Sequence, residues 1–242
     1  RQRQMCIRDS PKGGSRLPVL ILVHGSGPND RDETLGPNKP FRDIAWGLAE
    51  QGIAVLRYDK RTKVYGTAAY PQGVEATFDN EVVDDVISAV RLVKSLPEID
   101  SARVYVLGHS LGGMLVPRIA QRAGEGCLGG IISLAGPVRK MEQLLTEQMT
   151  YISSLSGTQP DVKAAVEQVM NSLPESYRKM ETEYQPVEVA RMLKLPFLVL
   201  QGERDYQVTM QDFGMWRFGL YRNPNAVSYT HLRAHETSQD LV

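Results

Sequence analysis

Apolar positions along this chain follow two alternating patterns: short continuous runs, and longer stretches with one apolar face. The runs fall at 17–23, 53–58, 102–107, 129–135 and 196–201. Runs of that length without polar alternation suit strands buried on both faces of a parallel sheet. Between them, 41–51 sets Ile44, Ala45, Leu48 and Ala49 on one helical face, and Gly52 ends it. The stretch 80–96 does the same with Val82, Val83, Val86, Ile87, Val90 and Val93, and 114–123 has helix-compatible spacing. Strands alternating with helices predict an α/β chain, with a mostly parallel sheet covered by helices on both faces.

One stretch breaks the alternation. From 138 to 195 there is no strand-like run, only helix-compatible sequence punctuated by Gly157, Pro160, Pro174 and Pro186. Its place between two strands predicts a helical lid. Met141, Met149, Met170, Met180 and Met192 lie in it. Thioethers adapt to varied apolar shapes and could line an acyl pocket. Ordinary helix-core packing is the commoner use and the preferred reading.

Candidate chemistry sits where strands end. Gly108-His109-Ser110-Leu111-Gly112 follows the 102–107 run and precedes a helix. A serine on such a strand-to-helix turn has its hydroxyl pushed out of the sheet edge, and glycines beside it avoid collisions. An isolated Gly-x-Ser-x-Gly is more often a plain turn with a capping serine, so the weight comes from context. Ser110 is the candidate nucleophile. His24-Gly25-Ser26-Gly27-Pro28 follows the first run, where a loop can aim backbone N–H groups at a developing oxyanion. The donors are assigned to Leu111 and Ser26, with Gly25 as the neighbouring alternative, and His24 is read as a structural brace. After 196–201 comes Gly202-Glu203-Arg204-Asp205. Asp205 is the candidate acid that orients a histidine and stabilises its imidazolium. Glu203 competes for that role but is read with Arg204 as a solvated pair. Asp59-Lys60-Arg61 is read as an ion cluster bracing a loop.

The chain has four histidines, His24, His109, His231 and His235. Only the last two follow Asp205, as the order serine, acid, histidine requires. Both fall in a stretch, 227–242, that resembles translated sequencing-adapter sequence, as does 1–10. Such strings recur at the ends of fragments assembled from environmental DNA. Both ends are therefore set aside. The domain is expected at 11–226, truncated at both ends, with 138–195 as the lid. His235 has suitable spacing after Asp205 but is not expected to be the native base.

Residues 23–34, 56–62, 108–113 and 201–206 together resemble a bacterial α/β-hydrolase group related to serine aminopeptidase-like and cinnamoyl-esterase-like hydrolases. The loop 24–34 is the specific part of the resemblance. It implies an α/β-hydrolase fold and a carboxylic ester hydrolase, and relatives are often exported.

Composition narrows this only by exclusion. Formal net charge is zero and no basic stripe suggests a nucleic-acid partner. No apolar run has the length of a membrane span. Outside 1–10 there is one cysteine, Cys127, with no Cys/His metal spacing and no dinucleotide fingerprint, so neither metal nor cofactor is expected. Localisation and oligomeric state stay open. Two classes remain: a serine hydrolase acting on a small acyl substrate (ester, thioester or peptide), or a non-catalytic binding module on the same scaffold.

Overall fold

The apolar runs become strands because the sheet they form is covered on both sides. A computed structural model of the chain describes residues 6–9, 15–70, 72–157 and 160–230. Strands β1 (Cys6–Asp9), β2 (Leu17–Val23), β3 (Ala54–Tyr58), β4 (Ile99–His109), β5 (Gly130–Leu134), β6 (Phe197–Leu200) and β7 (Ala226–Tyr229) make one sheet. Their spatial order is β1-β3-β2-β4-β5-β6-β7. Every neighbouring pair is parallel except β1 with β3.

Strand β2 shows how the core is divided. Val19, Ile21 and Val23 join a large cluster with residues of α3 (Asp84–Lys94), α4 (Leu111–Ala123) and α9 (Met210–Gly219). Leu20 and Leu22 face the other way, into a smaller cluster with Phe41 and Ala45 of α1 (Pro40–Glu50). Each fully buried aliphatic side chain of this kind contributes about 1.5–3 kcal/mol. Helix α1 opens on Pro40, whose missing N–H has no helical partner to lose there. Its C-terminal turn releases into Gly52 at φ +84°.

Two local differences from the sequence pattern have physical causes. The stretch 80–96 is not one α-helix: Asp79–Val83 is a π-helical turn that leads into α3. Apolar spacing does not distinguish the two, and the wider turn carries Glu81 inward, where it is 8% exposed. Short helix α2 (Arg61–Tyr65) follows β3 directly. The sheet also extends past 11–226, through β1 and through Val227 to Tyr229 of β7. A sheet edge offers unpaired N–H and C=O groups to any extended segment, so apolar pattern is not required there.

Between β5 and β6 the chain forms α5 (Met141–Ser156), α6 (Val162–Ser172), α7 (Glu175–Glu183) and α8 (Pro186–Arg191), with no strand among the described residues. That is the helical insertion of 138–195. The topology also fixes where a ligand would go. From β2 the chain turns to β3 on one side, and β4 lies on the other. The crevice beyond the carboxyl ends of β2 and β4 is therefore the switch point at which open α/β sheets bind ligands.

Candidate active site

Ser110 stands at that switch point, between β4 and α4, at φ 52° and ψ −117°. A non-glycine residue there carries strain of about 1–3 kcal/mol and persists only where its surroundings hold it. They do: Ser110 N–H donates to Leu134 O at 3.0 Å, and Met114 N–H donates to Ser110 O at 3.0 Å. The neighbouring glycines are required by close approach. A Cβ on Gly108 would collide with the backbone of Gly112, and one on Gly112 with the carbonyl of Val23. Gly113 packs on Gly136, whose Cα a Cβ would meet at 2.8 Å.

The loop after β2 is pinned by charge. Glu33, 8% exposed and at φ 50°, accepts the Gly25 N–H at 2.7 Å. Its other oxygen lies 3.0 Å from His109 Nδ1, an ion pair when the imidazole is charged. Burial is the largest influence on both and works against charge, but the partners together outweigh it. His109, His24 and the Gly25 N–H hold Glu33 below the usual carboxylate range, and Glu33 and Asp205 hold His109 above the usual imidazole range. The His109 ring therefore pairs with the loop through Glu33 and not with the serine beside it. Asn29 Nδ2 donates to Ser26 O at 2.9 Å. The Asp59-Lys60-Arg61 cluster braces this region as three separate pairs, Asp59 with Arg31, Lys60 with Glu81 at 2.6 Å, and Arg61 with Asp85. His24 braces chiefly by packing. It is 1% exposed, packs on Phe41 and Tyr58, and neither ring nitrogen has a partner. Burial pushes its pKa down to about 4.

Asp205 follows β6 and is 5% exposed. Its Oδ1 accepts the N–H groups of Gln207 at 2.9 Å and Val208 at 3.0 Å. Burial raises its pKa above the ordinary aspartate value, against those hydrogen bonds. Among the described residues no histidine hydrogen-bonds Ser110 or Asp205. His231 and His235 lie outside the described residues.

Ser110, Leu111 and Ser26 line one cavity of about 730 Å³, with Gln207 and Val208 of the Asp205 turn on its wall. Lid residues Met141, Leu144, Leu145, Val169, Leu173 and Tyr177 close the far side. Of the five lid methionines only Met141 is in that lining, and Met192 is 81% exposed. Arg139 also reaches the cavity, but its donors are taken by Asp212, Glu147, Gln211 and Thr209. It is a structural arginine, not a free anion site. Sequence reasoning gave no role to Glu33 or Glu81. Their signal is tertiary, since each meets its partner only after the sheet has formed. No His/Cys/Asp/Glu group suited to a metal is found among the described residues.

Known proteins resemble this arrangement. The family model described as the prolyl oligopeptidase family matches residues 41–230. Esterase EstD of Thermotoga maritima is 40% identical over 223 residues, covering 85% of this chain and 51% of that protein. The chain thus spans about half the length of that relative. The uncharacterized peptidase YtmA of Bacillus subtilis is 26% identical over 182 residues, 74% of this chain and 62% of that one. Among solved structures, Est1E from Butyrivibrio proteoclasticus superposes with a TM-score of 0.61 at 17% identity. That match covers 93% of this chain and 82% of Est1E, a likeness of fold.

Proposed function

We infer the chemistry of this site from one premise: the chain belongs to the prolyl oligopeptidase family, within the α/β-hydrolase superfamily. We propose that it carries the catalytic domain of a serine hydrolase that cleaves carboxylic esters or thioesters. One observation carries this reading. Ser110 is held at positive φ on the wall of a largely apolar cavity that Ser26 and Leu111 share.

In the proposed reaction Ser110 Oγ attacks the acyl carbonyl carbon while its proton passes to a general base. Negative charge on the carbonyl oxygen is taken up by the Leu111 N–H, at the start of α4, and the Ser26 N–H. Collapse expels the alcohol or thiol, which takes the proton, and leaves an acyl-Ser110 ester that water then hydrolyses. Asp205 is the group that would orient the base and stabilise its charged form. Its two backbone donors fix the carboxylate so that the remaining oxygen can face an imidazole.

Within the superfamily, the finer placement beside serine aminopeptidase-like and cinnamoyl-esterase-like hydrolases draws support from the elbow and the loop 24–34. Est1E has been solved with ferulic acid bound, so feruloyl esters belong in a substrate panel. A peptidase is the second reading, favoured by the family description and by YtmA.

A fluorophosphonate probe tests the assignment. The full-length protein with its native base is expected to label at Ser110, located by mass spectrometry of the peptide, and Ser110→Ala to lose the label. Modification at another serine, with none at Ser110, would sink it. Parallel assays on p-nitrophenyl esters and aminoacyl p-nitroanilides separate the two readings.

A further inference from the structure

The peptide unit that offers the Ser26 N–H is gripped at its other end. Its carbonyl, Gly25 O, accepts from Lys60 Nζ at 3.0 Å and from Asn29 Nδ2 at 3.2 Å. Lys60 is 2% exposed and comes from the turn after β3, 35 residues along the chain. Its ammonium is balanced by Glu81 at 2.6 Å, carried inward by the π-helical turn. A lone charge buried here would be costly, and the carboxylate offsets it at direct contact.

In a trans peptide the C=O and N–H point in opposite directions and share one rigid plane. A cation fixed on the carbonyl therefore does two things at once. It sets the plane, and so the direction in which the Ser26 N–H points. It also draws electron density toward the oxygen, which leaves the N–H a stronger donor. Ser26 lies on the cavity wall with Ser110, while Lys60 holds the Gly25 carbonyl at the other end of the same peptide unit. We propose that Lys60 and Glu81 form a positioning pair that aims and strengthens the Ser26 N–H toward the oxyanion. This rests on the reading of Ser26 as a donor and adds to it the residues that make it one. Neither side chain touches the reacting atoms. The pair also faces the lid, since Glu81 and Tyr177 of α7 line the same cavity.

The test replaces both charges at once, Lys60→Met with Glu81→Gln in the full chain, so that no lone charge stays buried. Arg61→Met with Asp85→Asn is the control, a neighbouring ion pair that does not touch Gly25. On a short p-nitrophenyl ester the first variant is expected to lose about tenfold in kcat with KM little changed, as for a group that acts in the transition state. The preference for that ester over its thionoester should shrink by a similar factor, because sulfur demands less of an N–H donor. Nuclear magnetic resonance gives an answer without turnover. The backbone order parameter of Ser26 should fall from about 0.85, the rigid range, to below about 0.6. Glu81→Gln alone, a milder change, should shift all three readings in the same direction. Unchanged preference and unchanged order at Ser26, or equal changes in the control, overturn the proposal. Failure of Ser110 to label would overturn the hydrolase assignment instead, and the order parameter would still decide the role of the pair.

Discussion

Two walls of one cavity are built on opposite terms. The loop after β2 is held by buried charge: Glu33 on the Gly25 N–H, Lys60 on its carbonyl, Glu81 behind Lys60 and His109 beside Glu33. The facing helices present mainly apolar side chains to the cavity and bury few residues of their own. Leu144, Val166 and Tyr177 are the single buried residues of α5, α6 and α7. The pairs Lys163–Glu167 and Lys179–Glu183 there are exposed and 3.9 Å long, worth at most about 1 kcal/mol each. The contrast matches two tasks. Stabilising a developing charge requires dipoles that do not reorganise during reaction. Accepting apolar groups of varied length requires a surface that can adjust.

The sharpest way to break this contrast lies where the base of the lid meets α9. Arg139 Nη2 meets Asp212 Oδ2 at 2.8 Å, and Asp212 Oδ1 accepts the N–H groups of Val138 at 2.9 Å and Arg139 at 3.1 Å. Both residues are buried, so the base of the lid is tied to α9. Asp212→Ala would leave the guanidinium without its buried counter-charge, at a loss of about 3–5 kcal/mol. Urea unfolding measures it. A loss below about 1 kcal/mol would mean the lid is anchored elsewhere.

The second effect belongs to the loop and depends on pH. His24 has its folded pKa lowered to about 4 from an ordinary 6.5, because burial disfavours the imidazolium. A base with a depressed folded pKa contributes its full stability above the unfolded value. It loses that stability as pH falls from about 6.5 towards 4. At about 1.4 kcal/mol per unit the whole swing is about 3 kcal/mol. Urea melts at pH 7 and pH 4.5 should show most of it, and His24→Leu should flatten the difference between them. His109, with its raised folded pKa, gains its contribution as pH falls through the ordinary imidazole value and opposes His24 between pH 7 and 4.5. Glu33 loses its own only as pH falls through its depressed pKa. The difference between the two chains, and not either slope alone, therefore reads His24. An unchanged slope in His24→Leu would mean that the ring is protonated or hydrated where it sits.

The same contrast decided what could be read from sequence. Strands β2 to β6, helix α1, the candidates Ser110 and Asp205 and the strandless lid follow from local pattern, because periodicity and turn chemistry are properties of neighbouring residues. The loop network does not. Lys60 reaches Gly25 across 35 residues, and Arg57 reaches Asp32 across 25, through the pairing of β2 with β3. The ion cluster 59–61 could be read as a brace, but its partners could not. The π turn at Asp79–Val83 was hidden for a related reason, since its apolar positions satisfy an α-helical period equally well. In the lid, composition misleads. Met141 lines the cavity while Met149, Met170, Met180 and Met192 do not, and Met114, outside the lid, does.

The smallest expected effect is the one that speaks most directly to an adjustable wall. Leu145 is half-buried on α5 and lines the cavity opposite the loop. Leu145→Trp adds bulk there without touching the charged wall. A pocket discriminates among apolar chains by about 1–3 kcal/mol per methylene gained or lost. The ratio of kcat/KM for an octanoyl over an acetyl p-nitrophenyl ester should therefore fall about tenfold, with the acetyl rate nearly unchanged. Stability should stay within about 1 kcal/mol, because a helix that buries few residues can shift to admit the ring. Equal losses on both esters would show that the lid is coupled to the oxyanion wall, as the contact of Glu81 and Tyr177 on one cavity permits. An unchanged ratio would show that the acyl chain lies elsewhere, and the lid would then be a cover and not a selector.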